Sequence, residues 1–308
     1  MKTYRYGMGV LVAALTLLVL VGIWLTGGGE SAEEEGGVME SAQTEEEAAS
    51  AAQAEEEAEA VSTALAALVD DFLTAQCVDT QALGIAIVDF ESGGSYALNA
   101  GAYFTAASTY KLPLAMLYYD KIAAGEIALD DTLYYDASYY EAGGSIGYDY
   151  TPGDWISVAT LLDLMILESD NTAAHILFEN LGGWLAFKEE AAIYSDVADD
   201  DSMYYSEENV FTAAYMADVL SYLYNNSDDY DTLLANLLDA RPTDYLNAEI
   251  GTKMAQKYGQ YDTAENAVGL AMSGHPYGIA VYTALGDVGR ALIGDLNAVV
   301  WAYFNSGE

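Results

Sequence analysis

The order in which strand-type and helix-type patterns follow one another constrains this chain most. Gly84-Ile-Ala-Ile-Val-Asp-Phe90 and Ser95–Leu98 flank the glycine turn Glu91-Ser-Gly-Gly and predict a β-hairpin. From Phe104 onward helical spacing dominates. Val158, Leu161, Leu162, Met165 and Ile166 recur on one face of a helix, Thr172–Asn180 restarts as a second, and 209–224 and 231–238 read as two more. Lys188–Glu208 has weak periodicity and reads as a loop, as does the Tyr- and Gly-rich stretch 134–150. Extended patterns return only late, at 250–257, 268–272 and 277–285, before a last helix from about Gly286 to Phe304. A chain with strands at both ends and helices between them predicts an α/β protein of the α+β type. Its antiparallel sheet is completed by both ends of the domain and flanked by helices, with an all-helical subdomain inserted.

The first 60 residues are of a different kind. Lys2 and Arg5 precede Met8–Thr26, 19 uncharged and mostly apolar residues. A helix of that length covers about 28 Å, enough for a hydrocarbon core. Bases before it and acids after it orient the N-terminus inward. No small-x-small cleavage site follows, so the reading is an uncleaved single-pass anchor rather than a removed signal. The expected organisation is a cytoplasmic segment 1–7, a transmembrane anchor 8–26, an acidic disordered linker 27–60 and a catalytic domain 61–308 outside the cytoplasm. The linker could turn helical toward its end, leading into a helix near Val61–Ala75. The protein is expected to act as a monomer.

Charge and rare residues exclude several functions. Lys and Arg number 9 against 49 acids, for a formal charge of −40, which argues against nucleic acid as a partner. The one cysteine, Cys77, excludes an internal disulfide and a cysteine-rich metal site. His175 and His275 stand alone and far apart in sequence, so neither a metal site nor a Ser-His-Asp triad is expected, and no cofactor is implied.

Against that background Ser108-Thr-Tyr-Lys111 acquires weight. A spacing of three puts both side chains on one helix face, where a desolvated lysine amine can take the serine proton. The helix N-terminus would favour an oxyanion beside Ser108. Ser169-Asp-Asn171 lies at a junction of two helices; it reads equally well as an N-cap by Asp170 or Ser169. Lys257-Tyr-Gly259 follows in an extended segment.

The three triplets, in this order, resemble the class A β-lactamase and penicillin-binding-protein superfamily, whose motifs are Ser-x-x-Lys, Ser-Asp-Asn and Lys-Thr/Ser-Gly. The surroundings TAASTYKLPLAMLYYDKIAAGEIALDDTL, TLLDLMILESDNTAAHILFENLGG and PYGIAVYTAL are similar to that family, over roughly Ala64–Phe304. The resemblance implies roles. Ser108 would form an acyl-enzyme, with Lys111 accepting or relaying its proton. Ser169 would protonate the leaving nitrogen, Asn171 would hold the substrate's side-chain amide, and Lys257 would attract its carboxylate. Tyr258 and Gly259 would line the site, and the backbone N–H groups of Ser108 and Gln260 would form the oxyanion hole.

Two departures stand out. Tyr258 replaces the Thr or Ser of the third motif, and the alternative register Lys253-Met-Ala255 lacks the glycine. The family's Glu-x-x-Leu-Asn pattern, which carries the deacylating base, is not found between Leu181 and Thr212. Asp196, Asp199, Asp200, Asp201, Glu207 and Glu208 are candidates by chemistry alone. The implied substrates are β-lactams or cell-wall D-alanyl peptides. A D-alanyl-D-alanine carboxypeptidase and a slowly deacylating binding or sensor module stand as alternatives to a β-lactamase.

Overall fold

The computed structural model describes residues 34–198 and 201–306, with side chains from residue 48 onward. The apolar run 8–26 lies outside the described residues; among these, no helix is long and apolar enough to cross a membrane. Residues Ala52–Glu308 form one compact unit, and the residues up to Ala51 a separate one.

In chain order the elements are α1 (Glu34–Gln76), β1 (Leu83–Asp89), β2 (Ser95–Leu98), β3 (Tyr103–Thr105), α2 (Lys111–Ala123) and β4 (Thr132–Tyr134). Next come α3 (Ile146–Asp149), β5 (Trp155–Ser157), α4 (Val158–Leu167), α5 (Asn171–Asn180), α6 (Trp184–Ala191) and β6 (Val210–Thr212). The chain closes with α7 (Ala213–Asn225), α8 (Asp231–Asp239), β7 (Ala255–Tyr261), β8 (Ala264–Leu270), β9 (Tyr277–Thr283) and α9 (Asp287–Asn305).

The sheet has the expected build. Five antiparallel strands run in the order β2-β1-β9-β8-β7, so the N-terminal hairpin and the three C-terminal strands meet where β1 pairs with β9. Both faces are covered. Ile85, Ile87, Ile279 and Val281 point to one side, where they pack with Leu65, Val69 and Leu73 of α1 and Leu292, Ile293, Leu296 and Val300 of α9. Ala86, Ala280 and Tyr282 alternate to the other side and join the core built on α2, α4, α5 and α7. The helices between β2 and β7 form the inserted helical part.

Several boundaries differ from the sequence reading. The acidic stretch read as a disordered linker is helical from Glu34. Its alanines, glutamates and glutamines are strong helix formers. Residues 48–57 are exposed, so no tertiary packing is needed to explain that helix. The supposed loop at Lys188 begins inside α6, and β6 precedes the helix expected to start at Asn209. The strand carrying Lys257 continues through Tyr261. It turns at Asp262-Thr263, with Asp262 at φ +53°, and returns as a strand beginning at Ala264 rather than Val268.

Candidate active site

Ser108 sits on a short 3-10 turn, Ala107–Tyr110, that opens directly into α2 at Lys111. Four groups from distant parts of the chain fix this turn. Asn266 of β8 donates through Nδ2 to the carbonyls of Thr105 (2.8 Å) and Ala106 (3.1 Å). The Thr109 hydroxyl lies 2.9 Å from that of Tyr282 on β9. Asn209 donates to the Ala107 carbonyl (3.1 Å), and its own carbonyl accepts from the Ala106 N–H (2.9 Å). β7 approaches so closely that a Cβ on Gly259 would fall 2.6 Å from the Ala106 carbonyl oxygen and 2.9 Å from the Ser108 nitrogen. That approach explains the glycine. Ala107, just before Ser108, is held at φ +49°, a conformation that costs a side-chain-bearing residue about 1–2 kcal/mol.

Lys111 is fully buried and gathers the second motif around its amine. Its Nζ donates to Ser108 Oγ (3.0 Å), the Ser169 carbonyl (2.6 Å) and Asn171 Oδ1 (2.6 Å), and lies 3.3 Å from Ser169 Oγ. Burial lowers its pKa to about 7, against the opposing pull of Asp170 and Glu141. The junction that delivers Ser169 is rigid. Asp170 is completely buried and caps α5 through the Ala173 N–H (2.8 Å). It also ties down α3 by accepting the Ile146 N–H (2.7 Å). The N-cap and the contacts with Lys111 occur together at Ser169-Asp-Asn171. Asp170 caps, while Ser169, at φ +55°, turns into the site and Asn171 extends toward Lys111.

Lys257 reaches the same point from β7. Its ammonium donates to Ser169 Oγ (3.0 Å), is fully buried, and is pushed well below the ordinary lysine range by burial first and by the charge of Lys111 second. Ser169 Oγ therefore bridges two lysines. Lys253, the alternative register, lies on the surface paired with Asp239 (2.7 Å). Tyr258 packs its ring on Tyr245 (5.2 Å between centroids) and takes Lys257 Nζ over its face at 4.3 Å. Gln260 follows Gly259 on the edge strand. The two-residue turn makes Tyr261–Ala264 a hydrogen-bonded pair, and the antiparallel alternation then leaves the Gln260 N–H on the free edge.

The structure brings together Ser108, Lys111, Ser169, Asn171, Lys257 and Gly259, with Tyr258 and Gln260 alongside. Among the described residues, no loop acid is a hydrogen-bond partner of Ser108, Lys111, Ser169 or Lys257. Asp196, Glu207 and Glu208 are exposed, and Asp201 accepts the N–H groups of Met203 and Tyr204; Asp199 and Asp200 lie outside the described residues. Asn209 is a contact that the sequence reading missed. Its spacing gave only a faint signal: set against Glu-x-x-Leu-Asn, Tyr205-Ser-Glu-Glu-Asn209 keeps the asparagine alone, with Tyr205 in place of the acid and Glu208 in place of the leucine. Among the described residues, no group of His, Cys, Asp and Glu could hold a metal ion.

The chain's fold is similar to that of PBP-A (TM-score 0.64, 20% identity, 73% of this chain and 90% of that one). It also matches a PBP-A mutant solved as an acyl-enzyme complex with penicillin G (TM-score 0.68, 20% identity, 79% and 97%). A third similar structure is a beta-lactamase from Sphaerobacter thermophilus (TM-score 0.63, 24% identity, 72% and 91%). No curated protein matches the chain. A sequence model of the beta-lactamase enzyme family covers residues 60–304, nearly the whole of the unit that holds Ser108, Lys111 and Lys257. With its sheet, its helical insertion and its three motifs in order, the chain belongs to the beta-lactamase enzyme family.

Proposed function

We propose that the protein is a serine hydrolase that forms an acyl-enzyme on Ser108 with β-lactams and related cell-wall D-alanyl peptides. The observation that carries this reading is the 3.0 Å contact between Ser108 Oγ and a buried Lys111 whose pKa is lowered to about 7. At that value a large fraction of Lys111 is the free amine near neutrality, able to take the serine proton as Oγ attacks the carbonyl. The oxyanion formed would be held by the Ser108 and Gln260 N–H groups. The C–N bond then breaks. The proton leaves Lys111 and, through the Ser169 hydroxyl 3.3 Å away, reaches the departing nitrogen. Lys257, on the other side of Ser169, would hold the substrate carboxylate, and Asn171 the side-chain amide.

Among family activities, a penicillin-acylated carboxypeptidase or binding protein is favoured over a fast β-lactamase. Two observations support this: residues 181–212 hold no Glu-x-x-Leu-Asn pattern, and the carboxylates acting on Lys111 are Asp170 and Glu141, outside that stretch. The capture of a PBP-A mutant as a penicillin acyl-enzyme supports penicillin as a ligand for this fold. Residues 8–26 are proposed to anchor the protein, with the domain outside the cytoplasm, on the strength of the apolar run alone. The discriminating experiment runs β-lactam hydrolysis and D-alanine release from a D-Ala-D-Ala peptide side by side. Stoichiometric uptake of β-lactam with catalytic D-alanine release is expected. Rapid β-lactam turnover without peptide cleavage would overturn the preference.

A further inference from the structure

Lys257 is a buried base without a carboxylate partner among the described residues. It is fully buried, and its polar contacts are the Ser169 hydroxyl (3.0 Å) and the Tyr258 carbonyl (3.2 Å), both uncharged. The titratable group whose charge acts on it is another base, Lys111, which opposes protonation of Lys257. Buried cations ordinarily keep their proton through an acid, or lose it. Here the partner is a ring. Tyr258 follows Lys257 on the edge strand β7, and the free edge lets both side chains curl to the same place. The ammonium lies 4.3 Å from the ring centroid, well inside the range of cation–π attraction.

The ring is itself held in place. Tyr258 packs on Tyr245, whose ring also meets the Arg290 guanidinium at 4.7 Å, and the Tyr245 hydroxyl donates to Glu265 (2.5 Å). Arg290 is paired with Asp244, and Glu265 also accepts from Gln260 Nε2 (2.8 Å). The charged groups behind the ring are therefore Arg290, Asp244 and Glu265, and none of them touches Lys257. Ammonium, ring, ring and guanidinium follow one another, the two rings tilted by 32°, with Glu265 holding Tyr245 and Asp244 holding Arg290.

We propose that Tyr258 is a positioning residue whose π face holds Lys257 charged and aimed beside Ser169, and that it thereby sets how strongly the site takes a substrate carboxylate. The tyrosine is more than a bulky replacement for a hydroxyl. It supplies by its face the stabilisation of the cation that no acid supplies here. This inference rests on the acyl-Ser108 reading for its consequence on substrates, but its physical core concerns Lys257 alone.

The test has one arm for each part. In the first, the full chain carries 13C at lysine Cε, the Lys257 signal is assigned by its loss in Lys257→Arg, and its titration is followed by NMR. Tyr258→Phe, which keeps the ring, should leave the midpoint where it is in the wild type. Tyr258→Leu should lower it by about one pH unit. Equal midpoints in Leu, Phe and wild type would overturn the proposal, and so would a Phe variant that behaves like Leu. In the second arm, Ser108 acylation is timed with benzylpenicillin and with its methyl ester. Tyr258→Leu should slow the anion about tenfold and leave the ester unchanged, with Phe restoring the wild-type rate. An equal loss for both substrates would mark a merely structural role and overturn the proposal. Failure of the wild type to acylate would sink the functional reading and leave the NMR arm to decide the role of Tyr258.

Discussion

Lys111 Nζ and Ser108 Oγ stand 3.0 Å apart, three residues from each other in sequence, and the lysine is fully buried while the serine is half-buried. Burial makes the amine a base near neutrality, and the 3-10 turn gives it a hydroxyl to act on. Lys111→Arg keeps a cation of similar reach that does not lose its proton near neutrality. If Lys111 is the base, this variant acylates on the order of 10²–10⁴ times more slowly. A labelled penicillin measures it; a loss of less than threefold would assign the proton transfer elsewhere.

The pH profile follows from the same pair. Lys111 must be neutral to accept a proton, so the acylation rate rises as pH passes through about 7. Lys257 must stay charged to hold a carboxylate. Since its pKa is also lowered, the rate falls again when the pair loses its second proton, before the ordinary lysine range. The two limbs belong to the coupled lysines together rather than to either one. Stopped-flow acylation between pH 5.5 and 10 gives the curve. A rate flat across neutrality would contradict it.

Gly259 tests the approach of β7 to Ser108. A methyl group there meets backbone, the Ala106 carbonyl at 2.6 Å and the Ser108 nitrogen at 2.9 Å, so the strand must back away. Gly259→Ala should then lower acylation about 10²-fold, as displacements of about 1 Å do. Near-UV circular dichroism of the same sample would remain native, because the move is confined to an edge strand.

Deacylation should be slow, and Tyr205 is the place to change that. Tyr205→Glu restores an acid at the spacing of Glu-x-x-Leu-Asn, four residues before Asn209, whose amide holds the Ala107 carbonyl. The acyl-enzyme lifetime should shorten on the order of 10²-fold. An unchanged lifetime would mean that this loop does not bring residue 205 to the acyl carbonyl.

Salt should help the reaction. A formal charge of −40 repels an anionic substrate until counter-ions screen it beyond about 8–10 Å. The kcat/KM for benzylpenicillin is expected to rise between 10 and 200 mM salt. A fall would show that the local field of Lys257 and Lys111 outweighs that of the surface.

What could be read from the sequence was whatever is local. Ser108 and Lys111 are three residues apart in a helix start, and Asp170 is a capping residue before an apolar run; both announced their geometry. The alternation in 84–90 and 277–285 placed β1 and β9 correctly. What stayed hidden depends on distant partners. The segment up to Lys257 reads as extended, but Tyr258-Gly-Gln-Tyr261 has no apolar alternation and continues the strand because β8 pairs with it from Tyr258–Ala267 to Tyr261–Ala264. Asn209 meets Ala107 only because β6 pairs with β3, a contact across 102 residues that leaves no periodic trace. Tyr258 looked like a lost hydroxyl, and its ring acquires meaning only from Tyr245 and Arg290.

The most direct measurement is intact-mass spectrometry of the full chain after incubation with benzylpenicillin, beside Ser108→Ala. The account predicts an adduct of one intact penicillin on the wild type, persisting for hours, and none on the variant. An adduct of equal yield on Ser108→Ala, or none on the wild type while the D-Ala-D-Ala peptide is also left uncut, would contradict it.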